Sequence, residues 1–152
     1  MISLSFGENY CGPAVQIVNS PAQGATDRPG LPALLRRIMS HNQGMSTPKP
    51  YLSETEAPGR EEIDALQGLT LLEFGTNWCG HCLAAQPALV EVLSHHPQWH
   101  HIKVEDGVGR PLGRSYRVKL WPTLVLIRDG QEVARLVRPT QTTDISAALN
   151  VV

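Results

Sequence analysis

The sequence predicts an α/β domain, a central mixed sheet of about four strands flanked by helices on both faces. Three observations carry that expectation. From residue 51 onward, short apolar strand-like runs alternate with helix-like segments, the order that builds a sheet covered by helices. An Asp129-Gly130 pair separates the last two runs and marks a tight hairpin. The chain of 152 residues is one domain's worth of protein and can bury a core without a disulfide scaffold, for which 3 cysteines would be too few.

Arg60–Gln67 reads as a short helix, with acids crowding its first turn and Gly68 as its stop. Leu69–Phe74 is a near-continuous apolar run between Gly68 and Gly75, the pattern of a buried central strand. Cys79–His95 reads as a helix with Leu83, Leu89, Val90 and Leu93 toward a core, and Pro87 inside it should kink it. Trp99–Glu105 is a second strand, Pro111–Tyr116 a brief helix or turn, and Thr123–Ile127 a third strand. Glu132–Val137 returns as a fourth strand, and Thr143–Leu149 closes the chain as a helix. The first three strands should be joined by crossover helices. The last must run antiparallel to its neighbour, because so few residues connect them.

The first third differs. Residues 1–50 carry six prolines and five glycines, too many breakers for a strand–helix series. Their one helical-looking piece, Leu31–Met39, is too short to be stable alone. The expected organisation is therefore a flexible extension over 1–50, with Met45 as an alternative start, and a folded domain over 51–152. Met1–Phe6 lacks the basic flank of a signal peptide, so a cytoplasmic location is expected. Net charge runs from +2 over 1–50 to −6 over 51–102 and +3 over 103–152. The total of −1 argues against a general nucleic-acid binder. No apolar run approaches the roughly 18–20 residues of a membrane-spanning helix, and no heptad pattern points to an oligomer, so a monomer is expected.

The chemistry sits at Trp78-Cys79-Gly80-His81-Cys82, after a strand and at the start of a helix. Cys79 falls where unsatisfied backbone N–H groups and the helix dipole favour negative charge, which makes it a thiolate nucleophile. Cys82 lies one turn on, within reach of any mixed disulfide Cys79 forms. Such a dithiol exchanges with another disulfide without a metal or an organic cofactor. Two other readings stay open: a zinc half-site completed by His95, His96, His100, His101 or Cys11, and an inert pair.

From Leu71-Leu72-Glu73-Phe74 through Trp78-Cys79-Gly80-His81-Cys82, the sequence resembles the thioredoxin superfamily. The Gly80-His81 dipeptide is similar to that of protein disulfide isomerase domains, where thioredoxin itself has Gly-Pro. The resemblance covers roughly residues 54–152. It implies a thioredoxin fold, a buried acid at Glu73, a helix-kinking proline at Pro87 and a lysine near the acid at Lys103. It also implies a cis-proline loop at Trp121-Pro122-Thr123 and a turn glycine at Gly130.

Glu73 in an apolar strand should have a raised pKa unless it is paired, and Lys103 on the next strand is the expected partner. A carboxylate there would take the proton of Cys82 as it attacks. His81, between the cysteines, is expected to favour the Cys79 thiolate and so set the potential. Trp78, Gly80, Trp121 and Pro122 are expected to form the substrate-docking surface. The resemblance thus implies a thiol–disulfide oxidoreductase acting on protein disulfides through Cys79 and Cys82, with no cofactor beyond that redox pair. Its electrons would come from a thioredoxin-reductase-type flavoprotein or glutathione.

Three departures bear on substrate range. Gly75 stands where thioredoxin has a shielding aromatic residue, Trp121 is bulky before the proline, and Arg138 occupies a position that is often glycine. The rivals are an adaptor or chaperone-like binding module without turnover and a metal-binding dithiol protein.

Overall fold

The computed structural model describes residues 49–152. The readings of Leu31–Met39, Met45 and Cys11 lie outside these residues. In chain order the elements are α1 (Arg60–Asp64), β1 (Leu69–Gly75), α2 (Gly80–Ser94), β2 (Trp99–Glu105), α3 (Pro111–Ser115), β3 (Thr123–Arg128), β4 (Gln131–Val137) and α4 (Thr142–Val151). The four strands form one mixed sheet in the order β2-β1-β3-β4.

β1 pairs with β2 in parallel, and β3 pairs antiparallel with both β1 and β4. The hairpin expected between β3 and β4 is present. The path from β2 to β3, however, carries the chain past β1 to its other side and reverses its direction. A helix of five residues, α3, lies within that connection, and only β1-α2-β2 is a parallel crossover. Residues 106–122 are long enough for a crossover, but only Pro111–Ser115 is helical, too short to carry the chain back along the length of the sheet to a parallel start.

Period-2 alternation divides the core. Leu72, Phe74, Ile102, Val104, Val125 and Ile127 face one side, where Ile63 of α1 and Leu112 of α3 cover them. Leu71, Leu124 and Leu126 face the other, under Ala85, Leu89 and Val92 of α2 and Ile145 and Leu149 of α4. Each fully buried Leu or Phe contributes about 1.5–3 kcal/mol. Glu73 shares parity with Leu71, so its side chain falls on the α2 side.

Two elements differ from the sequence expectation. α1 stops at Asp64, because Leu66 N–H turns back to Ile63 O at 3.0 Å in a tighter final turn before Gly68, at φ +82°. On α2 the buried stripe is Cys82, Ala85, Gln86, Ala88, Leu89 and Val92, while Leu83 and Val90 are 58% and 45% exposed. The helix is rotated so that Cys82 and Gln86 face Glu73. Only Leu89 and the partly buried Leu93 of the expected face pack inward.

The β3–β4 turn is held from below. Asp129 and Gly130 have φ of 48° and 77°, the positive values this hairpin type requires. Asp129 Oδ1 accepts from Gly68 N–H at 2.8 Å. A Cβ on Gly130 would stand 1.9 Å from the backbone oxygen of Asp64. Gly130→Ala is therefore expected to cost about 2 kcal/mol or more, from left-handed strain plus the backbone clash. Urea denaturation should show a lower midpoint at unchanged slope.

Candidate functional site

Cys79 caps α2, with extended backbone at φ −73° and ψ 118°, and its carbonyl accepts the first helical bond from Leu83 N–H at 3.0 Å. Its side chain is partly exposed, whereas Cys82, one turn further in, is 1% exposed. Both are free thiols. Their environments drive them apart. Burial raises the Cys79 thiol, but hydrogen bonds from the Cys82 thiol and from the backbone N–H groups of Cys82 and His81, with the charge of Arg138, bring it below its ordinary value. Cys82 is pushed up to about 11, chiefly by burial and further by its pairing with Cys79, although the Thr76 backbone and the Tyr51 hydroxyl draw it down. One thiol is accessible and easily ionised, and the other is sequestered and protonated. His81 is exposed, and it is its backbone N–H that bears on Cys79.

Behind the dithiol, Glu73 is completely buried. Both its oxygens are engaged. Oε1 accepts from the Tyr51 hydroxyl and from Gln86 Nε2 at 2.8 Å, and Oε2 lies 2.8 Å from His101 Nε2. Lys103 is the register partner of Glu73, yet its Nζ donates to Gln86 Oε1 at 2.7 Å and sits 4.3 Å from the centre of the Tyr51 ring. The sequence pairs Lys103 directly with Glu73; the structure joins them through the Gln86 amide.

The expected rise in the Glu73 pKa does not occur. Burial raises it, but His101, Lys103 and the Tyr51 hydroxyl outweigh that and hold the carboxyl below its ordinary value. Burial lowers the Lys103 ammonium against the opposing pull of Glu73 and Cys82.

Tyr51, Gln86 and His101 are the members that sequence reasoning missed. Gln86 had a signal: it lies four residues after Cys82, on the same helical face. His101 lies two residues before Lys103, on the same face of β2. Tyr51 had none. It arrives from outside the sheet, where Leu52 bridges β2 through Leu52 N–H to Lys103 O (2.8 Å) and Glu105 N–H to Leu52 O (2.9 Å). Gly75 makes room for it. A Cβ there would stand 2.6 Å from both the Tyr51 hydroxyl oxygen and Cys82 Sγ.

The rim is built around Trp78, 74% exposed, whose ring meets that of Trp121 edge to face with centroids 6.0 Å apart. Trp121 Nε1 donates to Asp106 Oδ2 at 2.8 Å. Asp106 can reach it because position 113 is glycine, where a Cβ would stand 1.9 Å from Asp106 Oδ1. The Trp121–Pro122 bond is cis. Arg138 crosses behind it: its backbone N–H donates to Pro122 O at 2.8 Å, and its Nε to Trp121 O at 3.1 Å. Gly80 is exposed beside Cys79. Among the described residues, no three His, Cys, Asp or Glu side chains converge as metal ligands. His95 and His96 instead lie 2.9 and 2.8 Å from the α2 carbonyl oxygens of Glu91 and Val92.

The depressed Glu73 pKa has a thermodynamic consequence. A carboxyl whose folded pKa lies below its unfolded value, about 4.3 for Glu, stabilises the fold fully above that value. It ceases to do so as pH falls through the folded pKa. Denaturation of the parent and Glu73→Gln from pH 7 to pH 2 should show the parent's advantage intact above about pH 4.3 and shrinking below it. An advantage that grows on acidification would mean that Glu73 is buried as the neutral acid.

Comparison with known proteins agrees with this geometry. The Thioredoxin family model matches residues 52–151. Thioredoxin-2 of Pyricularia oryzae is 26% identical over 118 residues, covering 78% of this chain and 63% of its own length. A Chlamydia trachomatis thioredoxin is 39% identical over 71 residues, covering 46% of this chain and 69% of its own. The chain thus spans roughly two thirds of the length of these relatives. Among solved structures, the reduced form of thioredoxin 2 from Pseudomonas aeruginosa PAO1 superposes with a TM-score of 0.62 at 56% identity, covering 69% of this chain and 95% of that one. Oxidised mitochondrial thioredoxin 3 of Saccharomyces cerevisiae superposes at 0.55 with 25% identity, over 68% and 94%. With the family match extending across nearly the whole described domain, the chain belongs to the thioredoxin family, whose members are thiol–disulfide oxidoreductases.

Proposed function

We propose that this chain reduces protein disulfides, with Cys79 as nucleophile and Cys82 as the resolving thiol. The observation that carries this is the contrast between the two thiols: an accessible one made acidic at a helix N-terminus, and a buried one, one helical turn further on, pushed up to about 11. The Cys79 thiolate attacks one sulfur of a substrate disulfide and expels the other as a thiolate, leaving a mixed disulfide. Cys82 then loses its proton and attacks Cys79 Sγ. The Cys79–substrate bond breaks, the Cys79–Cys82 bond forms, and two electrons have passed to the substrate.

The surrounding residues fit those steps. Trp78 and Trp121, with Pro122 behind them, offer an apolar platform for an extended segment beside Cys79. Arg138 adds positive charge where the thiolate forms. Glu73 and its partners stand behind Cys82. Regeneration requires a donor of two electrons, either a thioredoxin-reductase-type flavoprotein or glutathione, and a reducing compartment such as the cytoplasm suits that direction. No further cofactor is needed for exchange between thiols and disulfides.

In the full chain, Cys82→Ser is expected to trap a covalent complex with a disulfide-bonded protein such as insulin, released by dithiothreitol. Cys79→Ser should trap nothing, and either change should abolish turnover. If the double Ser variant retained the cellular role of the parent, the groove would be a binding module instead. Equilibration with glutathione buffers should place the potential of the pair between about −270 and −180 mV, the range from thioredoxin to protein disulfide isomerase.

A further inference from the structure

Cys82 must shed a proton to resolve the mixed disulfide, and at 1% exposure it has no direct route to water. The carboxylate behind it is equally enclosed. Five groups bear on this problem: the Cys82 thiol, the Tyr51 hydroxyl, the Gln86 amide, the Lys103 ammonium and the His101 imidazole.

Their chemistry is not equivalent. The Gln86 Nε2 group toward Glu73 is a donor only, and its Oε1 is occupied by Lys103. Lys103 reaches the amide and not the carboxylate. A hydroxyl both accepts and donates, and the Tyr51 hydroxyl is placed to do both. It donates to Glu73 Oε1, and it crowds the same point above Gly75 as Cys82 Sγ, each 2.6 Å from where a Cβ would stand. Among the described residues no hydrogen bond joins Cys82 to Glu73 themselves.

On the far side, His101 Nε2 meets the other oxygen, Oε2, at 2.8 Å. Its side chain is 14% exposed, against none for Glu73. Imidazole can take a proton on one nitrogen and release one from the other.

We propose that Tyr51 relays the proton of Cys82 and that His101 is its outlet, so that the resolving step runs through Tyr51, Glu73 and His101 in turn. The proposal rests on the dithiol reading of Cys79 and Cys82. The Cys82 proton passes to the Tyr51 oxygen as the Tyr51 proton passes to Glu73 Oε1. The freed Cys82 thiolate attacks Cys79 Sγ, and the substrate sulfur leaves with the electron pair of the broken bond and is protonated by solvent. As Glu73 Oε1 takes the Tyr51 proton, His101 keeps its Nε2–H donated to Oε2 and releases an Nδ1 proton to water, so that one proton enters the network from Cys82 and one leaves it at His101. A carboxylate held ionised by its partners is ready to accept, and the paired gain at Glu73 and loss at His101 leave the net charge of the two buried groups unchanged. Tyr51 touches the reacting thiol and is catalytic; His101 acts through Glu73 and is a positioning residue.

The test separates the two thiol steps. The full chain in a Cys11→Ser background, fully reduced, is mixed in stopped flow with one equivalent of 5,5′-dithiobis(2-nitrobenzoate). A bimolecular release of thionitrobenzoate reports attack by Cys79, and a unimolecular second release reports resolution by Cys82. Tyr51→Phe is expected to slow the second phase at least tenfold and to leave the first within twofold, which also certifies the fold. His101→Gln keeps a donor to Glu73 but cannot pass a proton on. It should slow the second phase several-fold, with recovery on adding imidazole at constant pH and ionic strength. A second phase within twofold of the parent in Tyr51→Phe, or equal slowing of both phases, overturns the relay. A His101→Gln rate equal to the parent's, or slowed but unmoved by imidazole, overturns the outlet. A parent with no second phase would refute the dithiol reading itself.

Discussion

A carboxylate placed in the middle of an apolar sheet is the constraint on which the rest of the site depends. An ionised group without partners could not be buried at Glu73, because the loss of hydration costs far more than packing returns. Each neighbour can be understood as an answer to that. Gln86 turns a polar side chain inward on the apolar stripe of α2, His101 closes the second oxygen, and Tyr51 closes the first. Lys103 supplies charge from behind the amide, and Gly75 gives up its side chain so that a hydroxyl and a thiol can stand side by side. A network that is fully satisfied is rigid, and rigidity is what a pair of sulfurs that must meet in line requires.

The two cysteines show how little sequence separation is needed to make unlike groups from the same side chain. Cys79 is outside the first turn and Cys82 inside it. The helix entrance favours charge on the first, while enclosure penalises it on the second. The rim follows a similar logic at longer range. Gly113 admits Asp106, Asp106 holds the Trp121 indole, and Arg138 holds the Trp121 carbonyl. The exposed aromatic surface beside the nucleophile is thus fixed from α3 and from the end of β4.

Much of this was legible. Apolar runs between glycines marked β1, the Asp129-Gly130 pair marked the hairpin, and strand–Cys-x-x-Cys–helix marked the chemistry. What misled was the assumption that the largest apolar residues define a helix face. Leu83 and Val90 are outside, because the face of α2 is set by what Cys82 and Gln86 must touch. The charge state of Glu73 is hidden for a related reason. Its strand announced burial, but the partners that reverse the effect of burial come from three other segments. The direction of β3 is hidden as well, since a mostly irregular connection to a strand two places away leaves no local pattern.

Tyr51 enters the site from a segment that belongs to no strand and touches β2 through two hydrogen bonds about Leu52. Each is worth about 1 kcal/mol net, a small fraction of what holds the sheet together. The dithiol and the carboxylate stand on elements within the sheet and its helices, while the hydroxyl between them is carried in on a segment that joins the sheet along its edge. Peeling that edge would leave a folded protein that still forms mixed disulfides yet lets go of them slowly. Such a form would behave as a long-lived covalent trap for its substrates, made from the same chain without any change at either cysteine.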